Sequence, residues 1–356
     1  MTRRQSIYVL FLALLFPFNI IAADSDLNLK GDVRLRVQNQ TTASSLGRAR
    51  QRIRLRLQGK KQISENSLVG FGIASGGSDP RSTNQTLENS FDSPDLRLDQ
   101  AYIRYTMTSD MTLVGGKMKN PLWRPSDLLW DTDITPEGFA LKTDASLTDL
   151  NIWLNAGYFI LDETSASESD PFLLVAQAGS SIVVSEEIAS KLALSVYSFQ
   201  NTSGQVMAHS AGTNSGATTG LLNETSAVVG STELTFKDVF AIPMFKTFAE
   251  IVVNMDASSA NKGGIFGIKF GDKKPAKLGQ WQATVAYRYL GKDAWMDMLP
   301  DSDSYSGATD IQGLELIYKL ALSKKTAIAI DIYQMDRING AKNSERIIQL
   351  DFSGKF

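Results

Sequence analysis

Polar and apolar residues alternate with a period of two along the early part of the chain. The clearest run has arginine at successive even positions, separated by mostly apolar residues: Arg48, Arg50, Arg52, Arg54 and Arg56. A β-strand sends alternate side chains to opposite faces, whereas a helix would scatter these arginines around its axis. The run predicts a strand with one face in water, because unpaired buried charge is costly, and the other against hydrocarbon.

The same alternation precedes this run and continues to the C-terminus. Between residues 27 and 38 the odd positions are apolar or glycine, and the polar even positions include Arg34 and Arg36. Strands that are polar inside and apolar outside are typical of transmembrane β-barrels. The pattern predicts about sixteen strands, with fourteen or eighteen left open, near residues 27–38, 48–57, 67–75, 101–107, 114–118, 137–145, 150–160, 171–184, 190–200, 226–237, 245–253, 266–270, 281–289, 314–320, 328–332 and 348–356.

The links between these strands tend to alternate in length. The long links fall near residues 76–95, 119–136, 201–224 and 291–310. Bacterial barrels have short periplasmic turns and longer external loops, and an even strand count leaves both termini in the periplasm. We therefore expect an all-β fold, a closed antiparallel barrel that occupies residues 24–356 as one domain.

The N-terminus predicts export from the cytoplasm. Arg3 and Arg4 precede an apolar run near residues 7–18, and Ala22 and Ala23 offer a small-residue cleavage site. These are the features of a secretory signal peptide, here residues 1–23, although a retained signal anchor is the alternative. No later run reaches eighteen apolar residues, so we expect the mature chain to cross the outer membrane of a Gram-negative bacterium with strands.

The last nine residues alternate as well, and the chain stops on phenylalanine. Phe352 and Phe356 lie on the apolar face of this run. The run resembles the C-terminal strand signal by which the outer-membrane assembly machinery recognises barrels. An ordinary edge strand is the alternative. The expected surroundings are outer-membrane lipid and lipopolysaccharide.

The amino-acid composition of the chain excludes several classes of function. Hydrophobic residues make up 43% of the chain, as expected where about half the strand residues face a wet lumen. The 36 basic and 38 acidic residues become 34 and 38 without Arg3 and Arg4, a net charge of −4 that argues against a nucleic-acid partner. The absence of cysteine excludes disulfides, thiolate metal sites and cysteine nucleophiles.

The third external link, residues 119–136, has the composition of a loop that folds inward. Trp123 and Trp130, with neighbouring leucines, would be unusual on a solvated tip, so we expect this link to pack inside the barrel. A solvated external loop is the alternative. The acidic residues of the link are Asp127, Asp131, Asp133 and Glu137.

These features predict a charged constriction. The five arginines of the alternating run, with Arg34, Arg36 and Arg104, would line one wall, and the acidic loop would face part of it. A transverse field across a narrow wet gap sorts solutes by charge, and about sixteen strands leave an aqueous channel. We expect passive diffusion of small hydrophilic solutes with a mild preference for anions. Alternatively, the arginines are structural and pair with Asp32, Asp99 or Glu250.

Several stretches carry a resemblance to a known family. They are 50–56 (RQRIRLR), 99–105 (DQAYIRY), 115–121 (GGKMKNP), 130–138 (WDTDITPEG), 292–294 (KDA) and 299–303 (LPDSD). With the signal peptide, the inward loop and the terminal phenylalanine, they resemble Gram-negative porins, and most closely the family described as putative porins. The resemblance implies a β-barrel pore, often a homotrimer, and supplies no solute.

Other functions have weaker support in the sequence. The single histidine, His209, lies in a Gly/Ser/Thr-rich stretch without an evident catalytic partner, so no enzyme or catalytic residue is expected. Asp131 with Asp133 and Asp301 with Asp303 could seat Ca²⁺, but neither pair continues as an EF-hand loop, so no metal or cofactor is expected. A structural, adhesive or receptor barrel remains an alternative, as does a soluble β-sandwich.

Overall fold

The computed structural model describes residues 27–43, 45–165, 169–239, 241–341 and 343–356. The predicted signal peptide, residues 1–23, lies outside these ranges. No helix in the described part of the chain is long and apolar enough to cross a membrane.

The described residues form seventeen strands and one short 3₁₀ helix, Tyr305–Gly307. The first nine strands are β1 (Asn28–Thr42), β2 (Ser45–Gln62), β3 (Ser67–Ser75), β4 (Gln85–Thr86), β5 (Leu96–Thr108), β6 (Met111–Lys117), β7 (Glu137–Ser146), β8 (Leu150–Ile160) and β9 (Phe172–Val183). The others are β10 (Ile188–Gln200), β11 (Thr225–Val239), β12 (Ile242–Asn254), β13 (Lys262–Gly271), β14 (Trp281–Leu290), β15 (Ile311–Ala321), β16 (Thr326–Arg337) and β17 (Glu345–Lys355).

Sixteen of these strands close into an antiparallel barrel. Each pairs with its neighbours in chain order, and β1 closes the cylinder by pairing with both β2 and β17. The predicted closed sixteen-stranded barrel is confirmed.

The additional strand, β4, was not predicted. It pairs with β2 only, at Arg52 and Ile53, where β3 no longer covers that strand. Its two residues cover a backbone edge that would otherwise lack a partner in the sheet.

The two faces of the wall differ as the alternation predicts. Leu35, Val37 and Leu194 point outward and are about half exposed, whereas Arg36 and Gln38 point inward and are buried. A shift in register between β3 and β5 locally interrupts the alternation. An apolar outer surface with a polar inner face suits a wall between lipid and water.

Four external loops are long, and we name them L2 (76–95), L3 (118–136), L5 (201–224) and L7 (291–310). The inward fold predicted for L3 is observed, since Leu128, Leu129 and Trp130 are at most 2% exposed. Parts of L2, L5 and L7 are buried too, which the sequence analysis did not predict.

The inward loops share an apolar cluster with the barrel wall. Its centre is Trp295 of L7, which is fully buried and meets Tyr197 and Phe199 of β10 edge to face, with centroids 4.8 and 5.3 Å away. The indole N–H of Trp295 donates to the carbonyl of Leu129 at 2.6 Å. These contacts join L3 and L7 to each other and to the wall, so the loops inside the barrel form one packed body.

Candidate functional site

The arginines of β1 and β2 lie side by side on the inner wall. Strand pairing places Arg36 opposite Arg52 and Arg34 opposite Arg54. Like charges directly across a strand pair repel each other, so this arrangement requires nearby carboxylates. We call the inward set the arginine wall: Arg34, Arg36, Arg50, Arg52, Arg54 and Arg56.

Carboxylates neutralise one part of this wall. Arg36 binds Asp351 of β17 through two bonds of 2.7 and 2.8 Å, and it donates to Asp303 of L7 at 2.8 Å. Asp32 of β1 accepts bonds from both Arg54 and Arg56. These pairs fix the positions of Arg36, Arg54 and Arg56, because charge-assisted bonds between guanidinium and carboxylate groups are directional.

The other part of the wall has no such neutralisation. Arg52 donates only to neutral acceptors, Gln38, Ser82 and the carbonyl of Asn84. Arg50 donates to Gln40, and neither arginine has a carboxylate within 4 Å among the residues that the structure describes. The guanidinium charge of this pair is therefore left uncompensated by direct contact. Arg48, two residues before Arg50, is exposed at the external end of β2.

Loop L3 meets the arginine wall through Asp133. Its carboxylate accepts from Arg56 at 3.1 Å and from the backbone and hydroxyl of Thr83 in L2 at 3.0 and 2.8 Å. One side chain thus ties L3 to β2 and to L2. Of the four acidic residues predicted in this loop, Asp133 is the one that contacts the wall.

The middle of L3 is tied to a different part of the barrel. Asp127 accepts from Arg288 of β14 at 2.9 Å, and Arg288 also pairs with Glu315 of the neighbouring strand. Going from β2 through β1 and β17, β14 is five strands away around the cylinder. Because Asp127 and Asp133 bind arginines on well separated strands, L3 crosses the lumen.

The remaining acidic residues of L3 have other contacts. Asp131 accepts from the backbone N–H groups of Ser302 and Asp133, both at 2.9 Å, and so joins L3 to L7. Burial, together with the charge of Asp133, raises the pKa of Asp131 to about 8. Glu137, at the start of β7, is exposed and pairs with Lys117 on the adjacent strand.

Two aspartates of L7 have opposite pKa shifts. Burial and the neighbouring carboxylate of Asp127 raise the pKa of Asp301 well above its usual range. Burial acts in the same direction on Asp303, but the guanidinium groups beside it, chiefly that of Arg36, hold the pKa of Asp303 below its usual value. Asp303 is therefore the charged partner of the arginine wall within L7.

Beneath L3 the arginine wall borders a recess of about 490 Å³, which we call the pore recess. Its lining includes five basic and three acidic side chains: Lys30, Arg56, Lys119, Arg124, Lys355, Asp32, Asp99 and Asp133. The excess of two basic groups makes this part of the lumen net positive. Asp32 does pair with the arginines, as the structural alternative suggested, whereas Glu250 lies outside the wall.

The structure separates Arg104 from the arginine wall. Arg104 of β5 lines a different recess with Lys142 of β7 and Lys191 of β10. Phe352 and Phe356 point outward at the end of the last strand and are about half exposed. Their position on the apolar face agrees with the alternation, and their role in assembly stays a prediction.

Some of the groups that counter the arginines were not predicted from the sequence. Asp351 and Asp303 pair with Arg36, and Arg288 anchors L3. Asp351 could have been found on the polar face of the terminal strand. Trp295 is a tryptophan in a long link, the same feature that predicted an inward fold for L3, and it could have predicted one for L7.

The positions of the described side chains give little support to a catalytic or a metal-binding site. His209 is exposed on L5. Among the described residues no group of three or more His, Cys, Asp or Glu side chains is arranged to hold a metal ion.

The closed barrel, its inward loop and its charged lumen define an outer-membrane channel of the porin class. The model of the family described as putative porin matches residues 15–241 and 245–356, so the chain belongs to that family. It is a β-barrel channel for passive diffusion across the outer membrane of Gram-negative bacteria. No curated protein sequence matches the chain.

Solved porin structures share this fold at low sequence identity. OprB of Pseudomonas putida in its high-pH form is 14% identical with a TM-score of 0.61, over 94% of this chain and 95% of OprB. OmpF of Salmonella typhi, in complex with daunomycin, is 11% identical with a TM-score of 0.54, over 93% and 97%. The channel DcaP of Acinetobacter baumannii is 14% identical with a TM-score of 0.52, also over 93% and 97%.

Proposed function

We propose that the arginine wall and L3 together form the selective constriction of this channel, and that it passes small hydrophilic solutes with a mild preference for anions. The observation that carries the proposal is the state of Arg50 and Arg52, which have only neutral hydrogen-bond partners in the described structure. Fixed charge without a bound counter-charge attracts mobile ions of the opposite sign.

The local balance of charge also favours a preference for anions. Four of the six arginines of the wall have carboxylates within 4 Å, and these carboxylates number five: Asp32, Asp133, Asp303, Asp331 and Asp351. One positive charge is left in excess at the wall, and the lining of the pore recess, which shares Arg56, Asp32 and Asp133 with the wall, has an excess of two. An excess this small biases the passage of ions without excluding cations, so the expected preference is mild.

Reversal potentials test the proposal directly. The refolded protein is inserted into planar bilayers under a tenfold gradient of potassium chloride, and the sign of the zero-current potential reports the preferred ion. We expect chloride to be preferred, and the preference to weaken when Arg52 is replaced by Gln. Arg48→Gln is the matched control, because it removes the same charge from the exposed end of the same strand. Firm cation preference in the unmodified protein would refute the proposal.

We infer further features that rest on the sequence pattern. Residues 1–23 act as a cleaved signal peptide and residues 24–356 as one barrel domain. Phe352 and Phe356 serve as the signal read by the assembly machinery, and the channel works as a homotrimer. We expect no enzymatic activity, because the family and the fold are those of a channel. Heat-dependent gel mobility of the purified protein reports barrel and oligomer together.

A further inference from the structure

A second recess lies inside the barrel, apart from the arginine wall. It has a volume of about 510 Å³ and is lined by strands β5 to β10 and the start of L3. Trp123 and Trp153 stand in this recess with their rings edge to face, the centroids 6.1 Å apart. We call it the tryptophan bay.

The bay is held in place by a fixed hydrogen-bond network. The side chain of Gln177, on β9 and 1% exposed, accepts from the backbone N–H of Trp123 at 2.8 Å and donates to its carbonyl at 2.9 Å. Gln177 also donates to Ser195 and accepts from Asn155, both on the neighbouring strands. Trp123 is therefore held to the barrel wall by hydrogen bonds, and the position of this side of the bay is fixed by the fold.

A lysine ammonium sits between the two indoles. Lys191 Nζ lies 4.7 Å from the ring centroid of Trp123 and 4.6 Å from that of Trp153. Cation–π contact on two rings stabilises an ammonium group that has left bulk water. A ring offers no hydrogen-bond acceptor comparable to a carboxylate, so the N–H donors of Lys191 are left for another partner.

The other basic groups of the bay are also without carboxylate partners. Neither Arg104, Lys142 nor Lys191 has an acidic group within 4 Å among the residues that the structure describes. The acidic residues that line the bay, Asp110 and Asp144, are exposed. Lys142 is exposed as well, so the partly buried charges of the bay are the cations of Arg104 and Lys191, which leave its interior positive.

Unused hydrogen-bonding groups line the same space. The indole N–H of Trp153, a side chain that is 7% exposed, is shielded from solvent and has no acceptor in the described structure. The side-chain amide nitrogen of Asn120 is likewise shielded from solvent and has no acceptor in the described structure. Buried donors are normally paired, so donors left unpaired in a positive recess point to a missing acceptor.

We propose that the tryptophan bay is a binding site for small oxyanions, either carboxylates or phosphate monoesters. Two acceptor oxygens on one charged group match a site made of ammonium, guanidinium, indole and amide donors. The site lies beside the pore recess, since Asn120 lines both. The proposal extends the suggested anion preference of the channel from a bias in passage to a site that holds the solute.

Binding is measured without transport. The purified barrel in detergent is titrated with inorganic phosphate and, separately, with acetate, at constant ionic strength set with sodium chloride. Tryptophan fluorescence reports occupancy, because Lys191 touches two of the five tryptophans of the chain. We expect a saturable change with either anion, and the tighter of the two identifies the class of solute.

Variants locate the signal. Lys191→Met keeps an unbranched chain between the rings and removes the charge, and we expect it to weaken binding about tenfold, as the loss of one charge-assisted hydrogen bond predicts. Arg104→Gln gives a second test that leaves the tryptophan contacts intact. Lys319→Gln is the control, because it removes one partly buried basic group from β15, outside the lining of the bay.

The outcomes separate this site from the constriction. Loss of binding in Lys191→Met and Arg104→Gln, with an unchanged Lys319→Gln, supports the bay. No saturable change, or equal loss in all three variants, overturns it. Because this assay needs no ion current, the bay can bind anions even if the bilayer recordings refute the anion preference, and the reverse also holds. Heat-dependent gel mobility confirms that each variant has folded.

Discussion

Arg36 and Asp351 form a two-point ion pair across the seam where the first and last strands of the barrel meet. The guanidinium donates from Nε and Nη2 to the two carboxylate oxygens at 2.7 and 2.8 Å, and both side chains are buried. Strand pairing places the two residues directly opposite each other. Arg36 also donates to Asp303, so the same side chain closes the barrel and holds L7.

Replacing Asp351 with Ala should destabilise the barrel strongly. The change removes the two-point partner of Arg36 and the carboxylate that lies 3.2 Å from Arg34, so Asp303 is left to balance buried positive charge at the closing seam. Breaking a buried pair in this way costs about 3–5 kcal/mol. The measurement is the free energy of unfolding in urea, with refolding into lipid vesicles. Arg48→Ala is the control and should change the stability by less than about 0.5 kcal/mol, because Arg48 is exposed. Equal effects of the two variants would contradict a structural role for the seam pair.

Replacing Asp133 with Ala should widen and loosen the constriction. Its carboxylate holds L3 to Arg56 and to Thr83, and its removal also leaves one more positive charge in excess. We expect a larger and noisier single-channel conductance and a stronger preference for chloride. Glu137→Ala is the matched control, since this acid is exposed and pairs with Lys117 away from the wall. The idea fails if the two variants conduct alike.

Replacing Trp295 with Ala should release L7 while the barrel remains closed. The indole is fully buried, contacts two aromatic rings and bonds the carbonyl of Leu129. Truncations of this kind cost about 3–5 kcal/mol, and here the loss falls on loop packing rather than on strand pairing. Limited proteolysis should cut within residues 291–310 in the variant, with unchanged heat-dependent gel mobility. Trp295→Phe should show a smaller effect, because the ring contacts are partly kept.

A side chain at position 31 should interfere with closure. A Cβ on Gly31 would overlap the ring of Phe356, and it would also lie 2.8 Å from the backbone oxygen of Arg56. We expect Gly31→Val to lower the yield of folded barrel in vesicles. Gly230→Val is the control, because a Cβ there meets no atom within 4 Å. Normal folding of Gly31→Val would show that the terminal phenylalanine can move away at little cost.

The contact between L3 and L7 should weaken at alkaline pH. Burial and the charge of Asp133 raise the pKa of Asp131 to about 8, against about 3.9 in an unfolded chain. A carboxyl group with a raised folded-state pKa contributes fully below its unfolded value and loses that contribution as the pH passes the folded value. Between pH 7 and pH 9 we therefore expect Asp131 to ionise, to repel Asp133 in L3 and Asp303 in L7, and so to loosen the contact between the two loops.

Conductance recorded from pH 6 to pH 9 checks this expectation. The unmodified channel should become noisier above about pH 8. Asp131→Asn carries no titrating group at this position and should remove the step. A step of equal size in that variant would assign the change to another group.

The sequence by itself determined the wall of the barrel. Strand alternation is a local property, and the boundary between lipid and water requires one apolar and one polar face, so Leu35 and Arg36 could be assigned to opposite sides without knowledge of any partner. The same reasoning gave the sixteen strands and their order, because sequential antiparallel pairing needs only short turns. The inward fold of L3 followed from its tryptophans.

Only the tertiary structure decided which charges meet. Asp351 and Asp303 lie 315 and 267 residues from Arg36 along the chain, and their contacts depend on the closing register and on the path of L7. Side-chain alternation excludes a slip of one residue, which would move every side chain of a strand to the other face, but it does not distinguish registers that differ by two residues. For the same reason the sequence could not separate Arg104 from the arginine wall. Its neighbours Lys142 and Lys191 come from strands that only the closed cylinder brings together.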